Sequence, residues 1–386
     1  MIRSDFDPKM AKLPMPHARL AGLILCLAVS IGSAARADSP LLRDATGLMG
    51  VAMWLDSSAP GMVLVVVRGQ ETLVQGYGET TKGNGKEPDG RSLLRLVSVS
   101  KVFTTELLAG MAAAGQLRLT DPLQQYAAAA VTVPRFGDRA IALLDLATHS
   151  AGLPREIGEV PANTIPFTRP TKEERWSFLA GYKLPWAPGT VAAYSNVGFD
   201  LLADAGGTDY PGLLRDRITG PLSMADTGFA PTREQCDRLM MGSGLGGPGP
   251  CTDTSATEGS GGLYSTGDDM ALWLHHHLAE SDPAVWPTLA LAHAVYRQRQ
   301  AMTAAIGFDE AGPMDGLALG WVVVAARGHT PLILQKSGGG GGFMSYVAVV
   351  PGREVRLFVA VNHVDFTMFF GLSTAANELL ASLAPR

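Results

Sequence analysis

Lysine is scarce in this chain. Eight lysines stand against twenty-three arginines, and only six remain beyond residue 37. Charged residues make up 17% of the sequence against 46% hydrophobic ones, a balance that excludes a disordered polar chain and leaves ample material for a large core. No segment repeats at a fixed period, which excludes solenoids and propellers. Three cysteines are present, and no second Cys/His pair sits at ligand spacing, so a zinc finger or ribbon is excluded. The net charge is −5 for the whole chain and −8 without residues 1–37, a surface that disfavours nucleic acid.

One apolar run, "LAGLILCLAVSI" at residues 20–31, is shorter than the roughly 20 residues that a permanent membrane span needs. Basic Lys12 and Arg19 precede it, and Ala35-Arg36-Ala37 fits an A-x-A cleavage site. This reads as a secretory signal peptide over residues 1–37, cleaved after about Ala37, with an uncleaved anchor as the alternative. Acidic Asp5 and Asp7 in a long leading segment suit a translation start at Met10 or Met15. The expected location is the periplasm, with room for loose association with the inner membrane.

Beyond the leader, "GMVLVVVRGQETLVQGYGE" reads as a hairpin turning at Arg68-Gly69-Gln70. A helix is expected from near Ser98 to Gly115, a natural C′ residue, and another after Thr120 or Asp121 as N-cap to Pro122. "AIALLDLATHSAGLP" reads as an apolar helix stopped by Gly152 and Pro154. Four strand runs follow, "LALGWVVVA", "PLILQKSG", "FMSYVAVVPG" and "VRLFVAVN", and then a helix over residues 367–383. Strands at both ends around a helical middle predict an α+β fold, with one antiparallel sheet completed by the two termini and a helical lobe beside it. A single domain over residues 38–386 is expected, its sheet drawn from about 60–80 and 317–363 and its helical region from about 98–310.

Lysine's scarcity makes its placement informative. Lys82, Lys86, Lys172 and Lys183 lie in polar or turn-like surroundings, whereas Lys101 and Lys336 lie in apolar runs. Arginine holds its proton in a protein, but a crowded or desolvated lysine can lose it and act as a base. Ser98 stands three places before Lys101, and on a helix positions i and i+3 share a face. A serine becomes a nucleophile when a neighbouring base takes its proton. Alternatively, Ser98 or Ser100 only caps the helix and Lys101 snorkels outward.

Two further stretches weigh against that bland alternative. In "AAYSNVGFDLLADA", Tyr194 and Asn196 sit two apart before a helix, so an extended turn points both to one side. In "LQKSGGGGGFMSY", Lys336, Ser337, Gly338 and Gly339 end a strand whose missing β-carbons let a substrate backbone approach. Cys236 and Cys251 flank a Gly/Pro-rich segment. In an exported protein a disulfide is the natural pairing, and two buried thiols are the alternative. The "HHH" run at residues 275–277 fans out around a helix and cannot converge on one metal, which points to a structural or surface role. His149 is expected to order the loop before Gly152, and Asn362 to make a strand-end hydrogen bond. Trp54, Trp176, Trp186, Trp273, Trp286 and Trp321 read as core.

S-x-x-K, then Y-x-N, then K-[ST]-G, in that order, resembles the three motifs of serine β-lactamases and penicillin-binding DD-peptidases. The Y-S-N form, with "LATHSAGLP" and "GSGGLYST", resembles the class C β-lactamase branch. "YGETTKGNGKEP", "LATHSAGLPRE", "AAYSNVGFDLLADA", "QKSGGGGGF" and the Cys236/Cys251 pair are similar to the AmpH-type D-alanyl-D-alanine carboxypeptidase/endopeptidases. The E-x-x-L-N loop of class A β-lactamases is not found. The resemblance implies a serine β-lactamase/DD-peptidase fold acting on peptidoglycan stem peptides and binding β-lactams covalently, with no cofactor and no metal. Ser98 would be the nucleophile and Lys101, alone or with Tyr194, its base. Tyr194 would pass a proton to the leaving amine, and Asn196 would hold Lys101 and the substrate amide. Lys336 would set a positive charge beside both and attract the substrate carboxylate. Ser337 stands where threonine is common and keeps the hydroxyl, while the N–H groups of Ser98 and Gly339 would form an oxyanion hole. A class C-like β-lactamase, a carboxylesterase and a non-hydrolytic penicillin-binding sensor are the other activities such a chain could carry.

Overall fold

The run "GMVLVVVR" has no polar residue before its last because both faces of its strand are covered. Met62, Leu64 and Val66 point to one apolar cluster, and Val63, Val65 and Val67 to another. That is the pattern of a sheet buried on both sides rather than one facing water. The computed structural model describes residues 40–159, 164–207, 209–245, 247–308 and 314–384. The expected signal segment and its cleavage site lie outside these residues.

Eight strands among the described residues form the main sheet. They are β1 (Gly61–Arg68), β2 (Glu71–Gly78), β3 (Arg297–Gln298), β4 (Gly316–Leu317), β5 (Val322–Val324), β6 (Ile333–Gly340), β7 (Phe343–Val349) and β8 (Val355–Val361). Their order is β2-β1-β8-β7-β6-β5-β4-β3, so β1 pairs with β8 and the two ends of the chain complete one antiparallel sheet. The expected hairpin is present, with Arg68 opposite Glu71 and Gly69 at φ +55°.

Two helices, α1 (Pro40–Ser57) and α7 (Phe366–Leu383), cover one face of the sheet, where Leu42, Met53, Leu372, Leu379 and Leu380 are buried. The other face receives α2 (Ser100–Ala113) and α6 (Gly267–His276) through Val102, Phe103, Leu107, Met270 and Trp273. The helical lobe adds α3 (Leu143–Ala147), α4 (Lys172–Gly181) and α5 (Asn196–Gly206). Helix α2 is the hinge between them, because Leu108 and Ala109 pack into the lobe while Phe103 packs under the sheet. It stops at the expected place, with Gly115 at φ +70°.

Three expected elements differ. "LALGWVVVA" is a hairpin, β4 and β5, with Leu317 opposite Val322. Gly320 turns the chain at φ +75° and donates its N–H to the Ala147 carbonyl. Beyond Pro122 there is only a short 3₁₀ turn, Leu123–Tyr126, without a side-chain cap, because the Asp121 carboxylate is taken up by the Arg118 backbone N–H. The helix expected after Ile141 is only α3, since the chain turns at His149 (φ +52°) and Gly152 (φ +78°).

Trp176, Trp273 and Trp321 are core, as read, but Trp286 is 45% exposed. Of the histidine run, His277 is buried and His275 and His276 are partly buried, so of the two expected roles the structural one holds. His276 and His277 lie 3.0 and 3.3 Å from the buried Glu106 carboxylate, and His277 lies 3.2 Å from His293. Asn362 ties strand ends together, accepting from Gly61 N–H and donating to the Thr80 and Met241 carbonyls.

Cys236 and Cys251 form a disulfide. The loop it closes reaches across the molecule. Its Ser243 N–H donates to the Gly342 carbonyl in the β6–β7 turn, and its Pro250 carbonyl accepts from Arg95 at 2.6 Å. Replacing both cysteines with serine should lower the unfolding free energy by about 3 kcal/mol, from the loop entropy restored to the unfolded chain. Denaturant unfolding of the two forms checks this, and equal midpoints and slopes would contradict it.

Candidate active site

Ser98 does not share a helix with Lys101. It sits in a 3₁₀ turn, Val97–Val99, that feeds directly into α2, and Val97 before it takes φ +49°. Side chains three apart eclipse on a 3₁₀ turn, and Lys101 Nζ still lies 3.3 Å from Ser98 Oγ. Strand β6 fixes the other side of the serine. A β-carbon on Gly338 would lie 2.8 Å from the Ser98 backbone nitrogen, 2.8 Å from the Leu96 carbonyl oxygen and 2.6 Å from Ser345 Oγ. Only glycine lets the strand lie so close to the Ser98 backbone. Ser345 on β7 locks the arrangement by donating its hydroxyl to the Leu96 carbonyl at 2.6 Å.

Lys101 is fully buried, and its amine is held at 2.6 Å from Asn196 Oδ1 and 2.6 Å from the Ser260 carbonyl. Burial pulls its pKa well below the ordinary lysine value, and the Lys336 charge pulls in the same direction, while Asp200 and Glu156 oppose them. A neutral amine has two N–H bonds and one lone pair. Asn196 and Ser260 accept the two N–H bonds, which leaves the lone pair for the Ser98 hydroxyl.

Tyr194 and Asn196 converge as the extended turn predicts. Ser195 between them caps α5, accepting from Gly198 N–H, and donates its hydroxyl to the Pro154 carbonyl. Two lysine amines and a guanidinium lie around the Tyr194 ring. Lys101 Nζ lies 5.0 Å, Lys336 Nζ 5.2 Å and the Arg155 guanidinium 4.6 Å from its centroid. Lys336 also donates to the Ser337 carbonyl at 2.6 Å. Partner strand β5 pairs with β6 only at residues 333–335, so the segment from Lys336 to Gly339 continues past it beside Ser98.

Ser98, Lys101, Tyr194, Asn196 and Lys336 thus come together, with Ser337, Gly338 and Gly339 on the bordering strand. Cys236 and Cys251 lie away from them and act through their loop. Several neighbours went unrecognised in the sequence. His149, in the turn after α3, is also a platform, stacking on Tyr194 at 4.4 Å and accepting the Ser195 N–H on Nδ1 at 3.0 Å. Burial, with Lys101, Lys336 and Arg155 nearby, holds its pKa well below the usual histidine range, so the ring is neutral. Phe308 meets Tyr194 edge-on, and Glu156 accepts the Asn196 amide N–H. Asp200 and Ser260 stand behind Lys101. Asp200 could have been found, because it lies four residues after Asn196 on one helix face.

The sequence model of the beta-lactamase family matches residues 42–381. The chain belongs to the beta-lactamase family. Within the family it is 38% identical over 377 residues to the D-alanyl-D-alanine-carboxypeptidase/endopeptidase AmpH of Escherichia coli, covering 96% of this chain and 97% of that protein. It is 25% identical to a beta-lactamase of Pseudomonas fluorescens, over 78% of this chain and 88% of that one. Its fold superposes with a TM-score of 0.83 on a beta-lactamase/D-alanine carboxypeptidase from Yersinia pestis solved with citrate. The two are 41% identical, with 89% of this chain and 98% of that chain covered. The α+β architecture expected from the motifs is therefore that of the family.

The contact at Gly338 gives a test of the site's construction. Gly338→Ala should lower stability by about 1–3 kcal/mol, because backbone rather than a flexible side chain must move. Thermal unfolding measures the loss, and an unchanged midpoint would mean that β6 does not press on Ser98.

Proposed function

We propose that this chain is an acyl-serine hydrolase of D-alanyl-D-alanine peptides. It acts as a DD-carboxypeptidase on free stem peptides and as a DD-endopeptidase on cross-linked ones, and it is acylated by β-lactams. The observation that carries the reading is the buried, charge-depressed Lys101 amine 3.3 Å from the Ser98 hydroxyl. The 38% identity to AmpH favours a wall peptide over other acyl donors.

In this reading neutral Lys101 takes the Ser98 proton as Oγ attacks the carbonyl carbon of the penultimate D-Ala. The N–H groups of Ser98 and Gly339 hold the oxyanion. The C–N bond then breaks, and the leaving amine receives a proton from the Lys101–Tyr194 pair, which leaves a Ser98 ester. Water, losing a proton to the same pair, attacks that ester; the acid departs and Ser98 regains its hydrogen. Asn196 orients Lys101. Lys336 faces the carboxylate of the departing residue, and β6 from Ser337 to Gly339 lines the bound peptide as an added strand would. A β-lactam enters by the same first attack, with its ring amide in place of the peptide. The substrate class and the secretory leader read in the sequence together support action in the periplasm. No helix among the described residues is long and apolar enough to cross a membrane.

The deciding experiment incubates the mature protein with a pentapeptide ending in D-Ala-D-Ala and with a cross-linked muropeptide, followed by mass analysis. Loss of D-Ala and opening of the cross-link are expected for the natural form and not for Ser98→Ala. Rapid nitrocefin hydrolysis with no peptide product would instead support a β-lactamase. Tyr194→Phe should cut turnover by roughly 10²–10⁴-fold, as expected on losing a proton donor. Full turnover in that variant would remove Tyr194 from the proton path.

A further inference from the structure

Behind Lys101, on the side away from Ser98, lies a carboxyl group that the proposed chemistry leaves unused. Asp200 on α5 is fully buried. Its Oδ2 accepts from the Ser260 hydroxyl at 3.0 Å, and its Oδ1 has no hydrogen-bond partner among the described residues. Ser260 holds both groups at once, because its backbone carbonyl accepts from Lys101 Nζ at 2.6 Å. A half-satisfied buried carboxyl is costly, and an apolar residue of similar size would pack there without that cost. Its placement next to a buried amine gives it a use.

We propose that Asp200 is a positioning residue for the serine's base, fixing Lys101 through Ser260 and governing by its charge how readily that lysine gives up its proton. The inference rests on Lys101 being the base of the proposed function. The surrounding charges do not take over this role. From α4, Arg175 donates to both carboxylate oxygens of Asp204, at 2.7 and 2.8 Å, with Lys172 3.5 Å from the same group. Arg175 is thereby bound to Asp204, one turn further along α5. Glu258 and Tyr210 complete the charges and titratable groups around Asp200. On Lys101's side, Lys336 and Arg155 disfavour its ammonium, and Glu156 and Asp200 favour it. Burial is also the main influence on Asp200, lifting its pKa to about 7, opposed by Arg175 and Lys101. The carboxyl therefore changes charge near neutral pH and titrates with Lys101 as a coupled pair.

The sign of the effect follows from Coulomb's law. A negative Asp200 favours the ammonium form of Lys101, so removing that charge favours the neutral base and extends it to lower pH. The test measures the rate at which fluorescent penicillin acylates the mature protein from about pH 5 to pH 9, where a buried lysine base titrates. Asp200→Asn keeps an acceptor for Ser260, and its acidic limb should move down by about one pH unit, as for loss of an adjacent charge. Ser260→Ala removes the hydrogen bond that favours the carboxylate and leaves the backbone carbonyl on Lys101. Its limb should move the same way by less, and it serves if Asp200→Asn does not fold. A limb that stays at the natural pH or moves up, with only the amplitude changed, overturns the inference and reduces Asp200 to a packing residue. Ser98→Ala runs beside them. Labelling that survives without Ser98 refutes the proposed function itself, whereas a Ser98-dependent limb that ignores Asp200 refutes only this inference.

Discussion

A lysine amine with no exposed surface, set against a serine hydroxyl, is the constraint around which this molecule is arranged. An ammonium in that position would keep a charge out of water with only neutral dipoles in hydrogen-bond contact, and a second cation, Lys336, lies against the same Tyr194 ring. Desolvation and like-charge repulsion both favour the neutral form. The same two influences that would be a liability in a structural lysine suit this one to the base role proposed for it. Arginine could not substitute, because it would keep its proton.

The rest of the fold holds that amine and that hydroxyl in register. Helix α2 carries Lys101 and is buried against both the sheet and the lobe, so neither can shift without the other. Strand β6 meets the Ser98 backbone at Gly338, and β7 reaches past it to the Leu96 carbonyl. On the lobe side, the neutral His149 ring supports Tyr194 and receives the Ser195 N–H, which fixes the tyrosine and the Asn196 that follows. The disulfide-closed loop joins the two halves from outside. It touches the β6–β7 turn through Ser243, and it touches Arg95, whose guanidinium lies between the rings of Phe167 and Tyr264 three residues before Ser98.

Much of this was legible in the sequence, for reasons that can be named. Strands such as "MVLVVV" announce a doubly covered sheet, and glycines at positions 69 and 115 mark a turn and a helix end by their left-handed backbone. The scarcity of lysine singled out Lys101 and Lys336, and the three-motif order tied them to Ser98, Tyr194 and Asn196. What the sequence hid is tertiary. "LALGWVVVA" has the composition of one strand, and only the turn at Gly320 makes it two. Ser98 and Lys101 read as one helix, yet a 3₁₀ turn precedes α2. His149 lies in a run whose local pattern is ordinary, and its importance comes from what packs against it. The histidine run likewise leaves a structural and a surface role open until Glu106, from another helix, is seen between His276 and His277.

The most direct test of the account is the protonation of Lys101 itself. With lysine side chains labelled with carbon-13 at Cε, six lysines lie beyond residue 37, few enough to follow individually by NMR. The Lys101 signal can be assigned by its loss in Lys101→Arg. The expected result is that this signal titrates well below the ordinary lysine value of 10.5. A Lys101 signal that titrates at that ordinary value would mean a charged amine at rest, and would contradict the claim that burial and Lys336 make it the serine's base.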